Sequence, residues 1–368
     1  MRLEAFGWDE SWSQQFQQLH SAVPTNDNAA RLLPGRVSTY TRSTYAILTE
    51  AGDSPAEVSG RFAHEAQRGD FPAVGDWVAF TPGVDGGPAT IHHLLPRRTK
   101  LSRKVAGSAT QEQVIAANVD VLFIVCGLDG DYNLRRLERY LVAASDSGAE
   151  LVIVLNKSDL CTPEEVIARE AAVRDIAPGI SVIALSALAP EPPQLLPPFL
   201  APHKTGALLG TSGAGKSTIV NALLGDARQT TQAVREGDDR GRHTSTQREL
   251  FVLPGGGLIL DNPGIRELQL WPEKASFEST FPDIEALATQ CAFRDCRHQG
   301  DRGCAVAAAI ASGELDAARW ESYLKLEKEL RHVAVQVDDN VRREEKRRGK
   351  KLHSDQKRNY KLREKDSE

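Results

Sequence analysis

The sequence predicts a multidomain protein. An N-terminal five-stranded β-barrel of the OB kind leads into a central α/β domain on a parallel sheet, followed by a C-terminal helical segment held by a metal. Three observations carry that reading. Short β-rich runs broken by Gly, Pro, Asp and Ser follow one another from Arg36 to Leu95. Continuous apolar runs alternate with amphipathic stretches from about Ala117. Three of the five cysteines crowd, with a histidine, between Cys291 and Cys304. A chain of 368 residues exceeds one ordinary core, since domains run to ~100–200 residues. The expected units are an extension over 1–34, the barrel over 35–104, the α/β domain over 105–272, the metal-binding segment over 273–340 and a basic tail over 341–368.

Composition narrows the class. With 40% apolar and 26% charged residues the chain is neither wholly disordered nor fibrous. An apolar run such as Val121 to Cys126 is far short of the ~20 residues that span a bilayer. The acidic start MRLEAFGWDE has no continuous apolar core and reads as no secretory signal. A cytoplasmic protein with no membrane partner is expected. The net charge of −5 hides an asymmetry: from Arg342 to Glu368, Lys and Arg outnumber Asp and Glu by twelve to six. A basic tail on an acidic body is a footprint of phosphate contact with nucleic acid, and equally of a solvated tail that folds only on binding.

Element by element, Trp8, Trp12 and Phe16 recur at helical spacing before a joint at SAVPTNDNAA. The runs RVSTY, YAILT, AEVSGRF, DWVAF and ATIHHLL then suit a small antiparallel barrel, a pattern an SH3-like barrel would share. Further on, VDVLFIVC, LRRLERYLVAA, LVIVLNKSD, a helix opened by Pro163, ISVIALSA, GALLG, ELFVL and LILD alternate in the manner of a parallel sheet covered on both faces. Ligands of such sheets bind beyond the carboxyl ends of the strands. The stretch 189–202 holds six prolines and is a connector rather than a helix.

The strongest motif is Gly210-Thr211-Ser212-Gly213-Ala214-Gly215-Lys216-Ser217-Thr218, which fits G-x-x-x-x-G-K-[ST] between a strand and a helix. A triphosphate needs a cradle of backbone N–H groups at a helix N-terminus. Lys216 would reach the β- and γ-phosphates, and the Ser217 hydroxyl would ligate Mg²⁺. Asn156-Lys157-Ser158-Asp159 ends the strand LVIVL. A carboxylate there can accept from guanine N1–H and its amino group, which adenine cannot offer, so Asp159 would select the base. Asn156 would brace the loops, and Lys157 would lie along the base. Ser186-Ala187 would offer backbone N–H groups to the guanine carbonyl. Asp261-Asn262-Pro263-Gly264 matches D-x-x-G, with Asp261 on Mg²⁺ through water and the Gly264 N–H at the γ-phosphate.

Cys291-x4-Cys296-x-His298-x5-Cys304 offers three thiolates and an imidazole, the set that one Zn²⁺ prefers, with no open position for catalysis. The helical stretch AVAAAIASGELDAARWESYLKLEKELRHV follows it.

In ordinary GTPases the phosphate loop precedes the base-reading motif. Here Asn156–Asp159 and Ser186–Ala187 come first, then Gly210–Ser217, then Gly241–Thr246, then Asp261–Gly264, an order that is a circular permutation. With AANVD (116–120), RRLERYL (135–141), NKSDL, LGTSGAGKST, DDRGRHTST (238–246) and DNPGIREL (261–268), the chain resembles the RsgA family of small-ribosomal-subunit biogenesis GTPases, roughly from Arg36 to Val333. The resemblance implies a permuted GTPase domain between an OB-fold and a zinc domain. It also implies hydrolysis of GTP to GDP, the small ribosomal subunit and its rRNA as partners and stimulator, and action in late subunit maturation as a monomer. Ile265 stands where a water-orienting glutamine is usual. The resemblance points instead to 241–246 as a switch: His243 would position water, and Thr244 or Thr246 would close on Mg²⁺. Asn262 and Ser245 replace the family's usual threonines. RNA contacts are expected from the barrel, the tail and the cluster Arg97, Arg98, Lys100, Arg103 and Lys104. Because the chain after Gly264 runs into the cysteine cluster, nucleotide state would reposition that segment through the covalent link. The rival expectation is a non-catalytic GTP-sensing, RNA-binding switch protein, which Ile265 favours.

Overall fold

A computed structural model describes residues 2–22, 31–41, 44–66, 68–104, 112–189, 195–225, 248–261, 280–298 and 301–332. The five-stranded barrel is present: β1 (Leu33–Thr41), β2 (Thr44–Thr49), β3 (Gly52–Val58), β4 (Trp77–Thr81) and β5 (Ala89–Leu94) run in the order β1-β2-β3-β5-β4, closed by pairing of β1 with β4. Only β3 and β5 pair in parallel. Val37, Tyr45, Ile47, Val78, Phe80 and Ile91 fill the interior. The run AEVSGRF, expected as one strand, stops at Val58. Ser59 accepts the Phe62 N–H at 3.1 Å and caps a short helix α2, Gly60–Glu65, because a serine hydroxyl satisfies a helix's first orphan donors better than a strand ladder can use it. The N-terminal helix α1, Glu10–Ala22, carries Trp12 and Phe16 as the spacing predicts. Trp8, just before it, meets the barrel's Trp77 at 4.7 Å between ring centroids.

The central domain is built on the parallel strands β8 (Val121–Gly127), β9 (Glu150–Asn156), β10 (Ser181–Ala184), β11 (Thr205–Gly210) and β13 (Leu258–Asp261). They lie in the order β10-β9-β8-β11-β13, with β12 (Arg248–Val252) antiparallel at the side. Their apolar runs have a simple cause. Leu122 and Ile124 of β8 enter one core cluster while Val121, Phe123 and Val125 enter another, so both faces are buried. Each such side chain contributes roughly 1.5–3 kcal/mol of burial. The helices α3 (Leu134–Ser145), α4 (Pro163–Ile176) and α5 (Lys216–Leu224) connect the strands. Asp120 ties the strand starts together: its carboxylate accepts the Thr205 N–H at 2.7 Å, and its carbonyl accepts the Glu150 N–H at 2.9 Å.

Between barrel and sheet lies a hairpin that the sequence did not suggest, β6 (Lys100–Lys104) with β7 (Glu112–Ala117). Buried Arg36 joins the units. It donates to the carbonyls of Phe6, Gly75 and Asn118 at 2.5, 3.1 and 3.0 Å. Strand β1 also pairs with β12, Thr39 opposite Glu249 and Tyr40 opposite Arg248, so the barrel and the parallel sheet share one hydrogen-bonded ladder of eleven strands.

The C-terminal segment packs α6 (Pro282–Ala288), α7 (Ala305–Ser312) and a helix α8 over 317–332 around Phe281, Ile284, Val306, Leu315 and Leu326. Among the described residues, no helix is long and apolar enough to cross a membrane.

Candidate functional site

Strands β9, β8 and β11 are parallel neighbours, so the segments leaving their carboxyl ends converge. Gly215, with φ +93°, leads into α5. A Cβ there would lie 2.2 Å from Asn156 Nδ2, so only glycine permits the approach on which the site depends. Asn156, buried at the end of β9, donates from Nδ2 to the Ala214 carbonyl at 2.9 Å and accepts the Ala187 N–H on Oδ1 at 3.0 Å. One side chain thereby pins Asn156–Asp159, Ser186–Ala187 and Gly210–Ser217 to each other, three segments that are far apart in sequence. The brace expected of Asn156 is present. The Ala187 N–H, expected to face a base carbonyl, is committed to Asn156 instead.

Lys216 is buried and folds back on the loop, donating to the carbonyls of Gly210 and Thr211 at 2.9 and 2.6 Å. Burial pushes its ammonium down to about 8, with the charge of Asp261 opposing the shift. Ser217 and Thr218 follow in the first turn of α5. Asp261 is buried at the end of β13, the parallel neighbour of β11. A hydroxyl at the helix start and a carboxylate on the adjacent strand end are the hard oxygen donors that suit Mg²⁺.

Lys157 adopts a left-handed φ of +65° and places Nζ 2.5 Å from Asp129 Oδ2; this contact holds the Asp129 carboxyl below its usual range. Ser158 and Asp159 form a short turn, with Asp159 exposed at the rim. Asp129 and Asp131, in the segment between β8 and α3, were not anticipated: Asp residues in turns are too common to signal a site. Gly264, His243, Thr244 and Thr246 lie outside the described residues.

The cysteine cluster assembles. One ligand atom each from Cys291, Cys296, His298 and Cys304 lies within 4.8 Å of the others. His298 Nδ1 is 3.5 Å from Cys291 Sγ and 3.4 Å from Cys304 Sγ. Tetrahedral Zn²⁺ with bonds of ~2.3 Å to sulfur and ~2.0 Å to nitrogen requires about 3.5 Å between such atoms. The donor set and its spacing therefore fit one zinc ion. Cys304 also caps α7, its Sγ accepting the Ala307 N–H at 3.3 Å.

Four residues of the basic cluster expected to meet RNA have partners within the protein. Arg97 grips buried Asp76 at 2.7 Å and the carbonyls of Gly69 and Phe71. Arg98 pairs with Asp9 and lies over Trp12. Lys100 pairs with Glu112, and Arg103 donates to Gln113.

A family model described as RsgA GTPase matches residues 94–271. A small ribosomal subunit biogenesis GTPase RsgA of Opitutus terrae is 45% identical, over 97% of this chain and 97% of its own length. One of Xylella fastidiosa is 48% identical, over 89% and 94%. Among solved structures, YjeQ from Thermotoga maritima aligns with a TM-score of 0.58 at 25% identity, covering 82% of this chain and 99% of that one. YloQ, described as a circularly permuted GTPase, aligns with a TM-score of 0.55 at 22% identity, covering 84% and 98%.

Proposed function

Since the chain belongs to the RsgA family of circularly permuted GTPases, we propose that it is a P-loop GTP hydrolase that works in late maturation of the small ribosomal subunit. In this reading it acts in the cytoplasm as a monomer, stimulated by the subunit and bound to its rRNA. The observation that supports the reading is the double hydrogen bond of Asn156 to Ala214 and Ala187, which ties the segment that carries Asp159 to the phosphate loop.

Asp159 accepts from guanine N1–H and the 2-amino group. Lys157, steadied by Asp129, lies along the base, and the Ser158 and Ser186–Ala187 turns close that side. Along Gly210–Thr218 the backbone N–H groups surround the phosphates. Lys216 exchanges its two carbonyl partners for phosphate oxygens, which favour its charged form. Ser217 and Asp261 would hold Mg²⁺, which neutralises charge on the phosphate oxygens. His243, Thr244, Thr246 and Gly264 complete the γ-phosphate side, with His243 positioning water in place of the missing glutamine at Ile265. The zinc ion held by Cys291, Cys296, His298 and Cys304 is structural. RNA contact is assigned to the barrel face and the tail over 341–368.

The test is phosphate release from GTP with added small subunits, large subunits or neither. Acceleration by small subunits alone is expected. Equal rates in all three arms, with GTP still bound, would favour the non-catalytic switch that Ile265 suggests.

A further inference from the structure

The nucleotide loop Gly210–Ser217 is rich in glycine and costs conformational entropy to hold in one shape. Asn156 holds its second half through the Ala214 carbonyl. Its first half is held from a place that no motif marks. The Thr211 hydroxyl donates to Asp131 Oδ2 at 2.8 Å, and Arg136, in the first turn of α3, donates to Asp131 Oδ1 at 2.5 Å. Asp131, Arg136, Thr211, Ser212 and Gly213 together line a depression beside the loop. Asn133 fixes the start of α3 by accepting the Arg136 N–H at 3.0 Å, so the arginine that grips the Asp131 carboxylate stands on a capped helix.

A carboxylate near a phosphate site repels the ligand if charge is all it contributes. Here Arg136 neutralises it, and what remains is a fixed acceptor for one loop hydroxyl. We propose that Asp131 is a positioning residue of GTP binding: through Thr211 it holds the first half of the phosphate loop ready, as Asn156 holds the second. This rests on the GTPase reading above. Preorganisation of this kind lowers Kd by removing ordering cost that binding must otherwise meet.

The test measures GDP and GTP affinity of the full chain by fluorescent-nucleotide titration for Asp131→Ala, Asp131→Asn, Thr211→Val and Asp131→Ala with Thr211→Val. Asp131→Ala and Thr211→Val should each weaken binding about tenfold, the scale of one hydrogen bond to a charged acceptor. The double variant should lose no more than either single one. Asp131→Asn, whose amide oxygen still accepts from Thr211, should recover most of the affinity. Tighter or unchanged binding in Asp131→Ala, or losses that multiply in the double variant, would overturn the proposal while leaving the GTPase reading intact. Failure of the unaltered chain to bind guanine nucleotides would instead remove that reading. Should Asp131→Ala not fold, Thr211→Val and Asp131→Asn still decide.

Discussion

Glu138 of α3 and Arg319 of α8 meet at 2.8 Å, 181 residues apart in sequence, with side chains 0% and 7% exposed. Arg319 also holds Asp283 at 2.7 Å, donates to the Thr280 carbonyl at 3.0 Å and lies over the Phe281 ring. Around this pair Arg135 reaches Glu138 and Asp316, Arg139 holds Glu329 at 2.6 Å, and Val142 enters the apolar cluster of the cysteine-bearing segment. The helix that begins beside the phosphate loop therefore ends against the metal-binding segment. The covalent link after Gly264, through which coupling was expected, lies outside the described residues; α3 is a second, non-covalent route between the same two regions.

Removing one partner of this junction strands the other charges in an apolar setting. Arg319→Met should destabilise the protein by about 3–5 kcal/mol, and Glu138→Leu with Arg319→Met should recover part of that loss. Denaturant unfolding measures both. A single variant as stable as the unaltered chain would mean the pair holds nothing.

Chelation of zinc, or Cys304→Ser, should loosen the C-terminal segment, because the ion replaces a core that three short helices do not supply alone. Trp320 reports it directly, since its ring centroid lies 5.6 Å from that of His298. A shift in tryptophan fluorescence with release of one zinc equivalent is expected. Purified protein that contains no zinc would refute the assignment.

Lys216 makes nucleotide binding depend on pH. Burial lowers its folded value from 10.5 to about 8. Between those values the unfolded chain binds more protons, so this group's contribution to stability rises with pH across that window. Phosphates favour the charged form, so binding above pH 8 must take up a proton, and affinity should fall as pH rises. Calorimetry at about pH 8.5 in two buffers of different ionisation enthalpy should give different binding heats. Identical heats would count against the assignment.

Asp159→Asn should weaken GTP binding by at least ~100-fold, because guanine loses the acceptor for two of its donors. The new amide can donate to the 2-carbonyl of xanthine, so affinity for xanthosine triphosphate should rise. Unaltered GTP affinity in nucleotide competition would place the base elsewhere.

Much of the central domain was legible because its determinants are local. A strand buried on both faces, such as Val121–Gly127, must be apolar throughout, and Gly215 with Lys216 at a strand-to-helix turn has few other uses. The cysteine cluster was legible for the same reason: its ligands lie within fourteen residues. What escaped notice depends on partners distant in sequence. Charge alone does not disclose that Asp76 and Asp9 fold against Arg97 and Arg98. No motif marks Asp131, whose contact with Thr211 joins residues eighty positions apart. In the hairpin, Lys100–Lys104 holds a single apolar residue, Leu101, so its pairing with the apolar end of Glu112–Ala117 had nothing to mark it. Glu138, whose burial is intelligible only beside Arg319, could not be told from any helical glutamate.

The pairing of β1 with β12 has a consequence for anyone who would study the catalytic portion alone. Cut away the barrel, and β12 would present unpaired N–H and C=O groups along an exposed margin, a template on which another chain can add itself. The barrel thus serves as a bookend for the sheet, whatever it binds, and a shortened protein that lacks Leu33–Thr41 should tend toward self-association and precipitation.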